Sequence, residues 1–321
     1  MNLRQLRYFH QVVTSGSFSK AATELHVAQP ALSQHVRHME QELGVSLLFR
    51  NAQGVTPTEA GARLMIHAKR ILGEFAELND SVRGQASAPR GEVLFGMPGT
   101  VGETLAAPLI EAAKLKYPQV RIRIVEAMSG YVLDWLKRGD IDVAIIYSTS
   151  DPRGLQVHHA LSEEICLFAT SEVADRFPNL QEPVIDLAHI SSLPLVVPGP
   201  GHGLRNLIDD AAQSVQASIT PEIEIDSYNQ IKKLVTRGLG FGLLPRMAIE
   251  KETRAGQFRS WTFADTPITR KVYLAYSTER PLLNAPRAVA QLSWEILRKL
   301  VADGEWAAKL PAQVQHPQLY Q

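Results

Sequence analysis

Cysteine is almost absent from this sequence. Cys166 is the only one in 321 residues, which excludes an internal disulfide and any multi-cysteine metal site. Its neighbours Ile165, Leu167 and Phe168 make it a core strand residue. A redox sensor is the alternative reading, but a reactive thiol needs exposure and a basic neighbour. Long hydrophobic runs are also missing: none approaches the ~18 residues that span a bilayer. Met1-Asn2-Leu3-Arg4-Gln5 leads into an amphipathic helix rather than a continuous apolar block, so no secretory signal and a cytoplasmic location are expected. Net charge is zero, with 33 basic against 33 acidic residues, so the balance alone names no partner. What is present, 45% hydrophobic and 21% charged residues, is the composition of a soluble globular chain long enough for two or three domains.

The charge is unevenly distributed. Residues 1–70 hold eight basic residues (Arg4, Arg7, Lys20, Arg37, Arg50, Arg63, Lys69, Arg70) against four glutamates, an excess of +4 that leaves −4 for the remainder. A basic head of this kind suits nucleic acid. Leu3, Leu6, Phe9, Val12 and Val13 form a helical stripe, stopped at Gly16. Ser17 caps a second helix over 18–25, carrying Phe18, Ala21, Ala22 and Leu25. His26-Val27-Ala28 is a tight turn. Pro30 then opens a third helix, which ends at Gly44 and has Leu32, Val36, Met39 and Leu43 as its inward stripe. Leu47–Arg50 and Val55–Thr56 flank a turn at 51–54 and make a hairpin, or wing. Thr58 caps a long helix over 59–85, in which Leu64, Ala68, Ile71, Phe75, Leu78 and Val82 recur at coiled-coil spacing, a seam for a second copy. Residues 85–91 read as a hinge.

From Glu92 onward strands alternate with helices, the pattern of an open α/β architecture with parallel strands. Strands are expected at 93–97, 121–126, 143–147, 164–169, 194–198, 222–226, 241–244, 257–262 and 271–276. Helices are expected at 103–115, 130–138, 203–214, 228–237 and 284–301. The region is long enough for two lobes of about 100 residues each. The tail after Asp303 is expected to be flexible.

Helix, turn, helix, wing and long helix together are a DNA-reading arrangement, a winged helix-turn-helix. The third helix presents Gln29, Ser33, Gln34 and Arg37 on the face opposite its apolar stripe, with His38 and Gln41 at the margin and no acid before Glu40. Gln pairs with adenine, Arg with guanine, and Ser with several bases or a phosphate. Arg50 and Thr56 on the wing are candidates for phosphate or minor-groove contact, and Lys20 for a backbone contact that positions without specifying. A three-helix bundle with a merely solvated polar face has the same spacing.

The residues themselves go further. Leu6-Arg7-Tyr8-Phe9, Gly16–Ala22, Gln29–Gln34, Leu43–Arg50 and Thr56–Gly61 closely resemble, in register, the N-terminal domain of the LysR-type transcriptional regulators. The resemblance continues through nearly the whole chain. Pro98-Gly99-Thr100 and Asp142–Tyr147 are similar to the nitrogen-assimilation-control subgroup. The family resemblance implies DNA contacts from Gln29, Pro30, Ser33, Gln34, Arg37 and Arg50. Position 34, commonly arginine in the family, is Gln34 here, which alters the bases read there rather than groove binding. It also implies pairing through the linker helices, homodimers or homotetramers, a pseudo-palindromic operator in double-stranded DNA, and RNA polymerase as a candidate partner.

The implied architecture is a winged helix-turn-helix over 1–58, a linker helix and hinge over 59–90, and a regulatory domain over 91–302, followed by a tail over 303–321. The regulatory domain is expected to be α/β and two-lobed, like the periplasmic solute-binding proteins, with lobe I at 91–162 and 267–302 and lobe II at 163–266. An effector is expected between the lobes. Pro98, Gly99 and Thr100 lie where a strand opens into a helix, whose free N–H groups favour an anion, so a small organic anion is the expected effector. Ser129, Gly130, Tyr147, Pro198, His202 and Phe241 are the other candidate contacts. His202 also reads as a surface loop residue, and Arg205 either balances an anion or makes a surface salt bridge. The Pro198–Gly203 stretch is no phosphate-binding P-loop, since its lysine and Ser/Thr are missing. His158-His159 point to opposite faces of a strand and make a poor metal pair. No metal or cofactor is expected.

Three other functions are compatible with parts of this pattern. A transport solute-binding protein shares the lobes but neither the head nor the absent signal sequence. An enzyme needs a catalytic constellation, and none stands out: there is no Ser-His-Asp order, cofactor lysine context or paired-carboxylate motif. A LysR-type regulator that works without an effector, its cleft empty, is kept open by the subgroup resemblance.

Overall fold

The computed structural model describes residues 1–51, 54–82, 88–147, 152–264, 266–280 and 282–312, and the chain divides into two compact units, 1–88 and 89–321. In the first unit, α1 (Leu3–Ser15), α2 (Phe18–Leu25) and α3 (Gln29–Leu43) enclose Phe9, Val12, Leu32, Val36 and Met39, all fully buried. Each such side chain contributes about 1.5–3 kcal/mol by leaving water. Gly16 and Gly44 end α1 and α3 at φ 61° and 68°, the left-handed region that a Cβ disfavours. Ser17 caps α2 through the Lys20 amide. The wing strands β1 (Leu48–Asn51) and β2 (Gly54–Pro57) pair antiparallel, and the turn residues 52 and 53 lie outside the described residues. Thr58 Oγ1 accepts the Gly61 amide at 3.0 Å and starts α4 (Glu59–Val82).

Two sequence expectations change here. Leu43 does not complete the inward stripe: it lies in the last turn of α3 and is 42% exposed, beside the exposed Val45. The seam of α4 divides in two. Leu64, Ala68 and Ile71 pack into the core of their own unit, whereas Phe75, Leu78 and Val82 are 40%, 56% and 79% exposed. Of the expected hinge at 85–91, residues 85–87 lie outside the described residues and Gly91 already belongs to the next strand.

The second unit runs β3 (Gly91–Met97), α5 (Gly99–Lys116), β4 (Val120–Glu126), α6 (Ser129–Arg138), β5 (Val143–Ile146) and β6 (Leu155–Ala169). It continues through α7 (Ser171–Ala174), β7 (Val184–Ile185), β8 (Leu195–Val197), α8 (Gly203–Ser214), β9 (Ile223–Glu224), α9 (Tyr228–Thr236), β10 (Phe241–Pro245) and α10 (Arg246–Arg254). β11 (Arg259–Phe263), β12 (Thr269–Ser277), α11 (Asn284–Ala302) and β13 (Ala308–Lys309) complete it. The strands follow one hydrogen-bonded path, β4-β3-β5-β12-β6-β10-β8-β9. Parallel pairing holds for β3 with β4 and β5, and for β8 with β9 and β10, but β6 and β12 run antiparallel to their neighbours. The sheet is therefore mixed rather than all parallel. The reason is the fifteen-residue β6, which pairs with β12 over its first ten residues and with β10 and β11 over its last five. One strand thus serves two lobes, and β11 and β12, consecutive in the chain, both run antiparallel to it. β6 joins the strand expected at 164–169 to the one expected around His158-His159, and α10 was not anticipated.

The tail is also corrected. Trp306 is 1% exposed and β13 adds to β6 at Ser162 and Glu163, so the start of the expected flexible tail is anchored by Trp306–Lys309, although Asp303–Glu305 are exposed. Residues 313–321 lie outside the described residues. Cys166 is buried in β6, and burial pushes its thiol up to about 12. His158 and His159 diverge as expected, the first to the Tyr276 hydroxyl at 3.0 Å and the second to Ser162 Oγ at 3.0 Å.

Candidate nucleic-acid interface and ligand cleft

In the first unit, α3 turns Gln29, Pro30, Gln34, Arg37, His38 and Gln41 to the exterior. Arg37 is exposed and has no ion-pair partner among the described residues. Lys20 and Thr56 are exposed as well. Ser33 is the exception to the expected reading face. It is 8% exposed and accepts from Arg50 Nη1 at 3.3 Å, because it lies one residue after Leu32 on the flank turned toward the wing. Arg50 is likewise engaged: Nη2 donates to Glu40 at 3.1 Å and the guanidinium lies 4.9 Å from the Phe18 ring centre. Glu40 in turn accepts the Leu47 and Leu48 amides. Ser33, Glu40 and Arg50 therefore lock the wing to α3. Arg50 keeps its side chain 34% exposed, so the lock leaves part of it toward solvent.

In the second unit, the C-terminal ends of β3, β4 and β5 meet those of β8 and β9 around a cavity of about 950 Å³. Ligands of open α/β sheets bind at this edge. Of the predicted contacts, Pro98, Gly99, Thr100, Ser129, Gly130, Tyr147, Pro198 and His202 line it. Phe241 does not. As the first residue of β10 it is fully buried against Phe177 and Trp261, at 5.2 and 6.0 Å between ring centres, on the core side of its strand.

The floor is a buried polar cluster. Thr100 Oγ1 is 2.5 Å from the Tyr147 hydroxyl and accepts from Arg270 Nη2 at 3.4 Å. The Arg270 guanidinium lies 3.7 Å from the Tyr147 ring centre and donates twice to Glu163 Oε1, at 2.8 and 2.5 Å. Trp306 Nε1 donates to Glu163 Oε2 at 3.2 Å. Burial pushes the Tyr147 phenol up to about 12 against the opposing pull of Arg270, so it stays protonated and able to donate. The Ser129 hydroxyl accepts the Tyr147 amide at 3.1 Å.

At the lobe II rim His202 is the N-cap of α8, its Nδ1 accepting the Leu204 amide at 3.1 Å. Burial lowers its pKa; Asp226 opposes that shift and Arg270 reinforces it, so the ring is neutral near pH 7. Arg205 is 8% exposed and spent within lobe II on Asp209, Glu224 and the Pro198 carbonyl, so it neither balances a ligand nor sits at the surface. The Tyr228 hydroxyl donates to the Gly99 carbonyl at 3.3 Å and joins the lobes at one side of the cleft. Sequence reasoning missed Glu126, Asp226, Tyr228 and Arg270, all of which line the cavity. Glu126 and Asp226 carried a legible signal, each an acid at the C-terminal end of an expected strand, 121–126 and 222–226.

Residues 3–62 match the family model described as a bacterial regulatory helix-turn-helix protein of the lysR family, and residues 86–298 match the LysR substrate binding domain. The chain belongs to the LysR family of transcriptional regulators. The nitrogen assimilation regulatory protein nac of Klebsiella aerogenes is 30% identical over 303 residues, covering 94% of this chain and 96% of that one. Among solved structures, a full-length OxyR variant from Pseudomonas aeruginosa is 25% identical with a TM-score of 0.71, covering 93% of this chain and 98% of that one. CbnR complexed with its target DNA shares the fold at 21% identity and a TM-score of 0.53, covering 92% and 100%. This chain is accordingly a DNA-binding regulator with an α/β effector domain. No helix among its described residues is long and apolar enough to cross a membrane.

Proposed function

We propose that this LysR-family regulator works in the cytoplasm as a homodimer or homotetramer on a pseudo-palindromic operator, has no enzymatic activity, and changes its grip on DNA when a small molecule enters the cleft near Thr100, Ser129 and His202. Two α3 helices enter successive major grooves, with Gln29, Pro30, Gln34 and Arg37 at base edges and Lys20, Thr56 and the exposed part of Arg50 at the backbone. Ser33 supports the junction of helix and wing. The exposed seam residues of α4 favour pairing with a second copy, and RNA polymerase is the expected downstream partner. A ligand bridging the lobes shifts the spacing of the paired heads by its differential affinity for the two arrangements.

The observation that carries the DNA assignment is the outward face of α3: polar, with an unpaired Arg37 and no acid before Glu40. Operator binding by fluorescence anisotropy across a salt series tests it. Arg37→Ala is expected to weaken specific binding by about 1–3 kcal/mol if it reads guanine, with the oligomer intact. A phosphate contact instead lowers affinity on all sequences and the salt slope by about 1. Unchanged affinity and slope sink the assignment.

A further inference from the structure

The cavity's charges argue against an anionic ligand. The two lobes repeat one device. In each, a Pro-Gly pair ends a strand, Pro98-Gly99 after β3 and Pro198-Gly199 after β8, and a helix follows. In each, an acid follows at the same interval: Glu126, the last residue of β4, stands 27 residues after Gly99, and Asp226, two residues past β9, stands 27 after Gly199. These acids sit where an incoming anion would seek amides. A Cβ on Gly99 would meet Glu126 Oε1 at 2.5 Å, and one on Gly102 would meet its Oε2 at 3.2 Å, so this carboxylate lies over the start of α5. Asp226 Oδ1 accepts the Gly199 amide at 3.0 Å. Glu126 thus occupies the space over the start of α5 where a bound anion would sit, and Asp226 takes an amide of the loop that leads into α8, whose own cap is His202.

The rest of the lining does not restore positive charge. Asp134 is a third exposed carboxylate. Arg270 is cancelled by Glu163 beneath the floor. His202 is neutral and committed to its cap. Among the described lining residues, three carboxylates face one free ammonium, that of Lys271. Tyr131, Tyr147, Tyr228 and Tyr273 also line the cavity, and tyrosine faces attract organic cations within about 6 Å. The cluster already shows this affinity in the Arg270 guanidinium over Tyr147.

We propose that the cleft is built for an organic cation, a ligand whose protonated amine sits between Glu126 of lobe I and Asp226 of lobe II and whose body rests on the tyrosines. This rests on the cleft being the effector site. A cation shared by carboxylates of opposite lobes draws the lobes together, which gives it the differential affinity that a switch requires.

The test uses the full chain and a fragment set with equal numbers of cationic, neutral and anionic members, including the matched pairs putrescine and adipate, and tyramine and 3-(4-hydroxyphenyl)propionate. Binding is read by ligand-observed NMR on the wild type and on Glu126→Gln/Asp226→Asn. Cations are expected to form the majority of binders and to bind about ten- to a hundredfold more weakly to the double variant, the range for a lost charged hydrogen bond. A melting scan shows whether that variant is folded; if it is not, Glu126→Gln alone, on an exposed side chain, carries the comparison. An anionic or neutral majority, no cationic binder, or cationic binding insensitive to the substitutions overturns the proposal. Operator affinity measured with each binder separates the two claims. A cleft-bound cation that leaves operator affinity unchanged refutes the effector reading and leaves the charge inference standing. An anion that binds the cleft and shifts operator affinity does the reverse.

Discussion

Glu163→Gln is the sharpest stability test of the cleft floor. The Glu163 and Arg270 side chains are 1% and 7% exposed, so neither is solvated, and Glu163 holds three donors, two from Arg270 and one from Trp306. Glutamine keeps the size but brings one acceptor and a pair of donors. If its oxygen faces Arg270, its amide N–H groups face the Trp306 N–H; turned over, they face the guanidinium. Either way two donors oppose each other and a buried guanidinium loses its counter-charge. Removing one partner of such a pair costs about 3–5 kcal/mol. At about 2–4 °C per kcal/mol for a domain of this size, the calorimetric transition of the 89–321 unit should fall by roughly 6–20 °C, with the head's own transition unmoved. Replacing both charges, as Glu163→Leu with Arg270→Met, should recover most of the loss, since apolar replacement of a buried pair is often neutral. A single variant that melts within about 2 °C of wild type refutes the argument, because the pair would then not be holding the floor. The freed guanidinium also adds positive charge under Thr100 and Tyr147, so whatever of this variant remains folded should bind cations more weakly.

Acid should weaken the effector domain through His202. Its pKa lies below the ordinary 6.5, so the unfolded chain takes up the proton first as pH falls; stability from the neutral ring is complete above 6.5 and declines as pH drops through the folded value. His202→Asn keeps a capping acceptor and should flatten that decline, whereas His202→Ala should cost about 1 kcal/mol already at neutral pH; melts on both sides of 6.5 decide, and equal acid sensitivity in wild type and His202→Asn refutes the role. Cys166 should resist a thiol reagent in the folded chain and react fully after denaturation, since it is buried with its thiol pushed up to about 12; rapid native labelling would contradict this. Leu78→Glu should dissociate the oligomer by light scattering while leaving the head's melting unchanged, because Leu78 is 56% exposed in the isolated unit; an intact oligomer would place the interface elsewhere.

Much of this architecture was legible because its signals are local. Pro30 and Gly44 bracket α3 through backbone conformation alone, and the strand-to-helix junctions at Pro98–Thr100 and Ser129–Gly130 sit where alternation gives way to helical spacing. Local signals fail where a side chain's surroundings come from far along the chain. Ser33 has the spacing of a reading face, but Arg50 turns it inward. Phe241 lies between Gly240 and Gly242 at the start of its strand, a position that suits a cleft, but the strand directs it to the core against Trp261. Residues 304–310 have a tail's composition, yet Trp306 finds a buried acceptor in Glu163, 143 positions earlier.

The character of the cleft shows the same division at a functional site. Chain pattern identifies two helix starts facing one space, and from that alone an anion is the natural ligand. What lies beside them is decided by the parallel pairing of β3 with β4, which sets Glu126 opposite Met97, and of β8 with β9, which brings Asp226 to Gly199 in the loop before α8. Register, not composition, turns two anion sites into two carboxylate-bearing rims. A slip of one residue in either pairing would point the side chain at that position to the other face of the sheet and return the amides to the solvent. The ligand's charge is therefore read at the level of sheet register, which is why a sequence that shows its family in its first 66 residues did not show what its cleft prefers.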